Sequence, residues 1–317
     1  MVSIFARKAK KLILFVFYIL LIIIILLVCK FNYSIKAYPK SAGIPGLISK
    51  SNIDYLFIGS SLTRHAYDIK LIENKYHVNA FAVAYNGMSP LMAYKILKYT
   101  LENTNTRLKT VIIEAYPYKL FAPPNSIEDV RLFNSSPPRL KMDILNEMYH
   151  YDHDLARIYN LVVLADNENI LAAPITYKLI EKLSYNGGYA NNHKSVPGIS
   201  KFKGNKELYI AQNINKHIYN QQLIAYINII ELCKVNNIRI IFVEPFLPNY
   251  IQNGTNYNSA KNLVKNLVTE SGSLLYENSL TTLNNGDPSI FADDIHLSSK
   301  GRELWSLEIM RIIGGSK

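Results

Sequence analysis

The sequence predicts an α/β fold, a flavodoxin-like parallel sheet sandwiched by helices, and three observations predict it. Short apolar runs recur along the chain, each bounded by turn residues and too short to be a helix. They are largely apolar rather than alternating, the pattern of strands covered on both faces. Amphipathic stretches separate them and supply the crossovers that parallel neighbours need. In order, Ile53 to Gly59 is the first strand, running into Gly-Ser-Ser. Val78 to Ala84 is the second, ending at Tyr85-Asn86-Gly87. Leu91, Tyr94, Leu97 and Leu101 set a helix over 90–102. Leu108 to Ile113 is the third strand, closing at Glu114, and Ile238 to Val243 the fourth, closing at Glu244-Pro245. Ser273 to Tyr276 is a short fifth, and 217–235, 257–270 and 298–313 are the remaining helices. Residues 117–205 break this alternation. They are rich in Tyr and Asn, helical over 155–165 and 174–184, and read as an insertion or lid.

Composition narrows the function. With 49% hydrophobic residues in 317, the chain is no disordered protein. The formal charge of +11 suggests nucleic acid until its charges are located. Arg7, Lys8, Lys10 and Lys11 precede an uncharged run, Leu12 to Cys29, and what remains holds no dense basic stretch, so a nucleic-acid partner is not expected. That run approaches the roughly 30 Å of a bilayer core. Its basic flank orients it with residues 1–11 in the cytoplasm, 12–29 across the membrane and the rest outside. It is longer than a signal-peptide core, and no small-x-small site follows. Residues 30–50 mix Pro, Gly, Ser and Lys without periodicity and read as a linker to a domain at 51–317. Two cysteines, Cys29 and Cys233, build no disulfide framework.

Two patterns carry chemistry. In Gly59-Ser60-Ser61-Leu62 a serine sits on the turn between a strand and a helix, where main-chain N–H groups can stabilise a negative oxygen. In Asp293-Asp294-Ile295-His296 a carboxylate precedes an imidazole by three residues, in the loop that opens the last helix. An imidazole held by a carboxylate can take a proton from a serine and return it to a leaving group. Taken alone, each also suits an ordinary capped helix, with Ser61 or Ser298 as N-cap.

Together these blocks resemble the SGNH/GDSL hydrolase superfamily. The resemblance puts Ser61 at the nucleophile position, with Asp293 and His296 completing a triad. Gly87, after the second strand, matches the glycine whose N–H joins that of Ser61 in the oxyanion hole. The third block departs. Where the family has Gly-x-Asn-Asp, with an Asn that donates to the oxyanion, this chain has Glu114-Ala115-Tyr116-Pro117. A carboxylate cannot donate while ionised; a Tyr116 hydroxyl could substitute, or Tyr116 is a buried structural residue. The Gly-Ser-Ser block, the anchor and the altered third block are similar to membrane-tethered members, among them the D-alanine transfer protein of teichoic acid synthesis and the alginate acetylation proteins. The resemblance implies a membrane-anchored serine O-acyltransferase or esterase acting on acyl groups of a cell-envelope polysaccharide. It implies a cell-surface glycan substrate, a membrane-bound O-acyltransferase as donor-side partner, and no cofactor. The alternative is a catalytically inactive protein of the same fold that binds glycan or partners the acyltransferase.

Other residues enter as candidates. Arg64, Asn86 and Tyr116 are placed to bind substrate, and Glu244 to orient a loop through Pro245. His65 is expected to be turned away by its helix. His150, Asp152, His153 and Asp154 have the residue types of a metal site without a well-spaced outside ligand, so no metal is expected.

Overall fold

The computed structural model of the protein describes residues 10–25, 43–124, 127–151, 217–252, 255–284 and 286–314. Five strands form one sheet: β1 (Asn52–Gly59), β2 (Ala80–Ala84), β3 (Arg107–Glu114), β4 (Arg239–Val243) and β5 (Leu274–Tyr276). Their order is β2-β1-β3-β4-β5, and every neighbouring pair is parallel. This is the doubly wound, flavodoxin-like order, whose topological switch point lies between β1 and β3.

Both faces of the sheet are buried, which is why its strands are apolar along most of their length. Successive side chains point to opposite faces. Leu56 and Ile58, Val111 and Ile113, Phe81 and Val83, and Phe242 therefore pack into one cluster, against the helices Pro90–Asn103, Asn220–Val235 and Thr255–Glu270. Phe57, Ile112, Ala80, Ala82, Ile241 and Val243 pack into the other, against the helices Ile69–Tyr76 and Ser299–Gly314.

Polar side chains start the helices where the sequence supplies them. Ser60 Oγ accepts from Leu62 N–H and Asp68 Oδ1 from Leu71 N–H. Ser89 Oγ accepts from Met92 N–H just before Pro90 at the first helical turn. Register pairs Gly59 with Ala84 and Glu114 with Val243, and Val243 with Tyr276, so the strand ends lie along one edge. The loops that follow, with Ser60–Ser61, Asn86–Gly87, Tyr116 and Glu244, share that edge.

Sequence and structure differ at four places. The apolar run at Val78 enters the sheet only at Ala80, because His77 ends the preceding helix in the left-handed region, at φ 52°. That helix, Ile69–Tyr76, and a shorter one at Ser61–Ala66 are additional to the predicted set. Residues 30–50 are not linker throughout. Gly43–Ser49 is a helix whose Ile44 and Leu47 are fully buried in the core, and Ile44 N–H donates to Tyr85 Oη. Its Pro45 and Gly46 read locally as loop, so only tertiary packing reveals it; the domain takes in residues before 51. In the expected insertion, a 3₁₀ turn at Pro117–Phe121 and helices at Val130–Asn134 and Pro138–Tyr151 are present, while 155–165 and 174–184 lie outside the described residues.

Residues 10–25 form a helix whose side chains are all exposed, and residues 26–29 of the expected span lie outside the described residues. Among the described residues no helix is long and apolar enough to cross a membrane. Among them, too, no three His, Cys, Asp or Glu side chains converge as metal ligands; Asp152, His153 and Asp154 lie outside.

Candidate active site

Ser61 opens the helix Ser61–Ala66 directly after β1, at the switch-point edge. The loop that meets it is closed by an antiparallel bridge between Phe291 and Leu297 and by Ala292 N–H donating to His296 O at 2.8 Å. Within that loop Asp293 does two jobs, which explains the three-residue spacing. Its Oδ1 accepts from the N–H groups of Ile295 and His296 at 2.9 and 2.8 Å, folding the turn. Its Oδ2 meets His296 Nδ1 at 2.8 Å. His296 Nε2 then meets Ser61 Oγ at 2.8 Å. With Nδ1–H given to Asp293, Nε2 is left to accept the serine proton.

Burial works against ionisation of Asp293. The His296 hydrogen bond, the Ile295 and His296 amides and the His296 charge outweigh it and hold the carboxyl well below the usual carboxylate range. It therefore remains an acceptor at neutral pH.

The start of the last helix fixes the loop's other end. Ser298 Oγ donates to Ser289 O and accepts from Gly301 N–H. A Cβ on Gly301 would lie 2.1 Å from Ile290 O, so the close approach requires glycine.

Two main-chain donors lie at the strand-end edge, one on the serine's own turn and one after β2. Gly87 lies after β2 with φ +62°, and its Cβ position is taken by the Glu128 side chain. Among the described residues neither Ser61 N–H nor Gly87 N–H donates to another protein group. Asn86 is exposed; its N–H donates to Asp129 Oδ2, and its Oδ1 accepts from Arg64 Nη2 at 2.7 Å. Asp129 is buried, and burial would raise its pKa. The bidentate pairing with Arg131, at 2.8 and 2.6 Å, outweighs that and lowers it. Tyr85 Oη and Ser135 Oγ are in hydrogen-bond contact at 2.7 Å. The first part of the insertion thus packs onto the loop carrying Gly87.

The remaining candidates divide. Tyr116 is buried at 8% exposure, in a cluster with Leu62, Leu247, Ile251 and Tyr257, its ring edge-on to Tyr118. It fits the structural reading of this residue. Glu244 is buried and accepts from Tyr257 Oη, Lys261 Nζ and Asn278 N–H, while Asn278 Nδ2 donates to Pro245 O. It orients the loops after β4 and β5, as expected.

His65 corrects an expectation. Its helix does not turn it away: it is buried, with its ring centroid 4.5 Å from that of His296. The short helix Ser61–Ala66 brings residue 65 back over residue 61, and this spacing of four is the signal that could have found it in the sequence.

Sequence reasoning missed the role of Glu114. Its Oε2 accepts from Ser60 N–H, Thr63 N–H and Thr63 Oγ1, at 2.8, 3.0 and 2.7 Å, and its Oε1 accepts from Ser60 Oγ at 2.6 Å. The third-block position therefore holds the serine's turn from beneath instead of donating to an oxyanion. Only the register of β1 with β3 reveals this.

No family model matches the sequence, and no curated protein matches it. Several solved structures are similar in fold. One is a GDSL-like lipase from Bacteroides thetaiotaomicron, with a TM-score of 0.40 and 9% identity over 84% of this chain and 89% of that one. Another is an acetyl xylan esterase from Geobacillus stearothermophilus, with a TM-score of 0.34 and 15% identity over 83% and 94%. The chemistry of the site follows from the geometry of Ser61, His296 and Asp293.

Proposed function

We propose that this protein is a membrane-anchored serine O-acyltransferase or esterase acting on acyl groups of a cell-envelope polysaccharide. One observation carries the chemistry: the continuous chain Ser61 Oγ, His296 Nε2, His296 Nδ1, Asp293 Oδ2, with both contacts at 2.8 Å. Ser61 attacks the acyl carbonyl as His296 takes its proton, and Asp293 holds the imidazole and stabilises its charged form. The N–H groups of Ser61 and Gly87 meet the oxyanion. His296 returns the proton to the leaving alcohol, and the acyl-serine is resolved by a second hydroxyl, from water or from a sugar. Every proton is moved by His296, so the scheme uses no cofactor. Arg64, paired to Asn86 beside the serine, is placed to bind an anionic part of the substrate, with Asn86 presenting it.

Transfer is preferred to hydrolysis because insertion residues pack against the Gly87 loop, where they can help hold an acceptor, and the third-block donor is absent. A sugar hydroxyl held beside the acyl-serine has an effective concentration that far exceeds that of a free solute, and this lets it compete with water. Small esters such as p-nitrophenyl acetate should turn over slowly, and added oligosaccharide should speed loss of donor and yield acylated oligosaccharide by mass spectrometry. Fast hydrolysis unchanged by glycan, giving only free acid, would leave an ordinary esterase. The inactive alternative draws on one observation, Glu114 in place of the donor Asn, and predicts glycan binding without turnover.

The anchor rests on the uncharged run Leu12–Cys29 behind Arg7–Lys11. A reporter active only outside the cytoplasm should work when fused after Lys317. A silent reporter, or release of the chain by signal peptidase, would remove the anchor. A membrane-bound O-acyltransferase is the donor-side partner this reading implies.

A further inference from the structure

We infer that Glu114 is the positioning residue that prepares the nucleophile, in place of the donor its block would otherwise supply; the inference rests on the serine-acyl reading above. The first turn of a helix leaves its N–H groups without helical partners. In Ser61–Ala66 the amides are shared out unequally. Thr63 N–H and Ser60 N–H go to Glu114 Oε2, Leu62 N–H goes to Ser60 Oγ, and Arg64 N–H goes to Ser60 O. Ser60 Oγ is itself held by Glu114 Oε1. The carboxylate thus controls, directly or through one hydroxyl, the amides on both sides of Ser61. Of this turn's amides, Ser61 N–H is the one left to meet a developing oxyanion, together with Gly87 N–H from the neighbouring loop.

The rest of the turn is built around this carboxylate. A Cβ on Gly59 would lie 2.0 Å from Thr63 Oγ1 and 2.6 Å from Glu114 Oε2, so glycine makes the room. Tyr226 Oη donates to Glu114 O, and Ala115 N–H to Val243 O, fixing the strand end from which the side chain reaches across. Four donors converge on an acceptor-only group. A carboxamide of the same shape would turn one of its two acceptors into a donor facing donors. Misplacing a reacting oxygen by about 1 Å can cost roughly 10²-fold in rate.

The test compares wild type with Glu114→Gln, and with the single-donor variants Ser60→Ala and Thr63→Val in case Glu114→Gln does not fold. Two quantities are read well below the unfolding midpoint of each variant. One is the maximal rate at which a fluorophosphonate modifies Ser61, separated from its apparent affinity. The other is the ¹⁵N shift of the His296 ring, which reports the Ser61–His296 hydrogen bond whether or not the serine reacts. Folded Glu114→Gln should show a maximal rate lower by roughly 10²-fold, an unchanged affinity and a displaced Nε2 shift, with smaller changes of the same sign in the single-donor variants. A merely structural Glu114 would lower the midpoint alone, and folded variants with wild-type rates and shifts would overturn the inference. If wild type is never modified but its shift still moves on Glu114→Gln, the enzymatic reading fails while the positioning role stands.

Discussion

Ser61→Ala is expected to lower kcat/KM toward any accepted acyl ester by about 10³-fold or more, and His296→Ala by a comparable factor. The size follows from the residues acting as one unit. Without Oγ no acyl-enzyme forms. Without the imidazole at 2.8 Å nothing takes the serine proton as the bond to carbon forms. The double variant should therefore be scarcely worse than either single one, the non-additive behaviour of a triad. Asp293→Asn should cost less than either. Its amide can still fold the turn through an oxygen to Ile295 and His296 N–H, but it would present a donor to Nδ1–H or force the other tautomer. KM should change little in Ser61→Ala, since the hydroxyl's work lies in the transition state. Independent, additive losses of tenfold or less would mean that Ser61 and His296 are neighbours rather than partners.

Trp305→Ala is expected to destabilise the domain by about 3–5 kcal/mol, a large share of the roughly 5–15 kcal/mol that holds a domain folded. Trp305 is fully buried in the last helix, with ring centroids of Phe246 and Tyr276 at 5.2 and 5.8 Å. Phe246 in turn stacks on Phe291 at 5.7 Å, and Phe291 stands at one end of the bridge closing the His296 loop. Truncation leaves a cavity beneath that loop as well as losing the burial of the indole. Urea unfolding should show a lower midpoint, and Ser61 modification should slow as the loop loosens. A loss below about 1 kcal/mol would mean that the site's floor collapses to fill the space.

How much of this was legible follows from the range over which each interaction acts. Ser61, Asp293 and His296 were legible because their signals are local: a turn after a strand, and an Asp whose two oxygens serve a turn and a ring three residues away. The parallel order made one sheet edge their common destination. Gly87 was legible as a strand-end glycine, and its φ of +62° gives the physical reason for glycine. Glu114 was visible only as a departure from a pattern, because its four donors lie more than fifty positions earlier. Arg64 with Asn86, and Asn86 N–H with Asp129, join segments brought together by tertiary folding alone. The buried helix Gly43–Ser49 was hidden by its own Pro and Gly, which signal loop locally but here pack against the sheet.

The central claim is that Ser61 is a nucleophile activated by His296. Peptide mapping of the protein after brief exposure to a fluorophosphonate tests it most directly. The account predicts one adduct, on the peptide containing Ser61, absent from Ser61→Ala and reduced by about 10³-fold in His296→Ala. No adduct on the folded wild-type protein, or one that persists in Ser61→Ala, would contradict it.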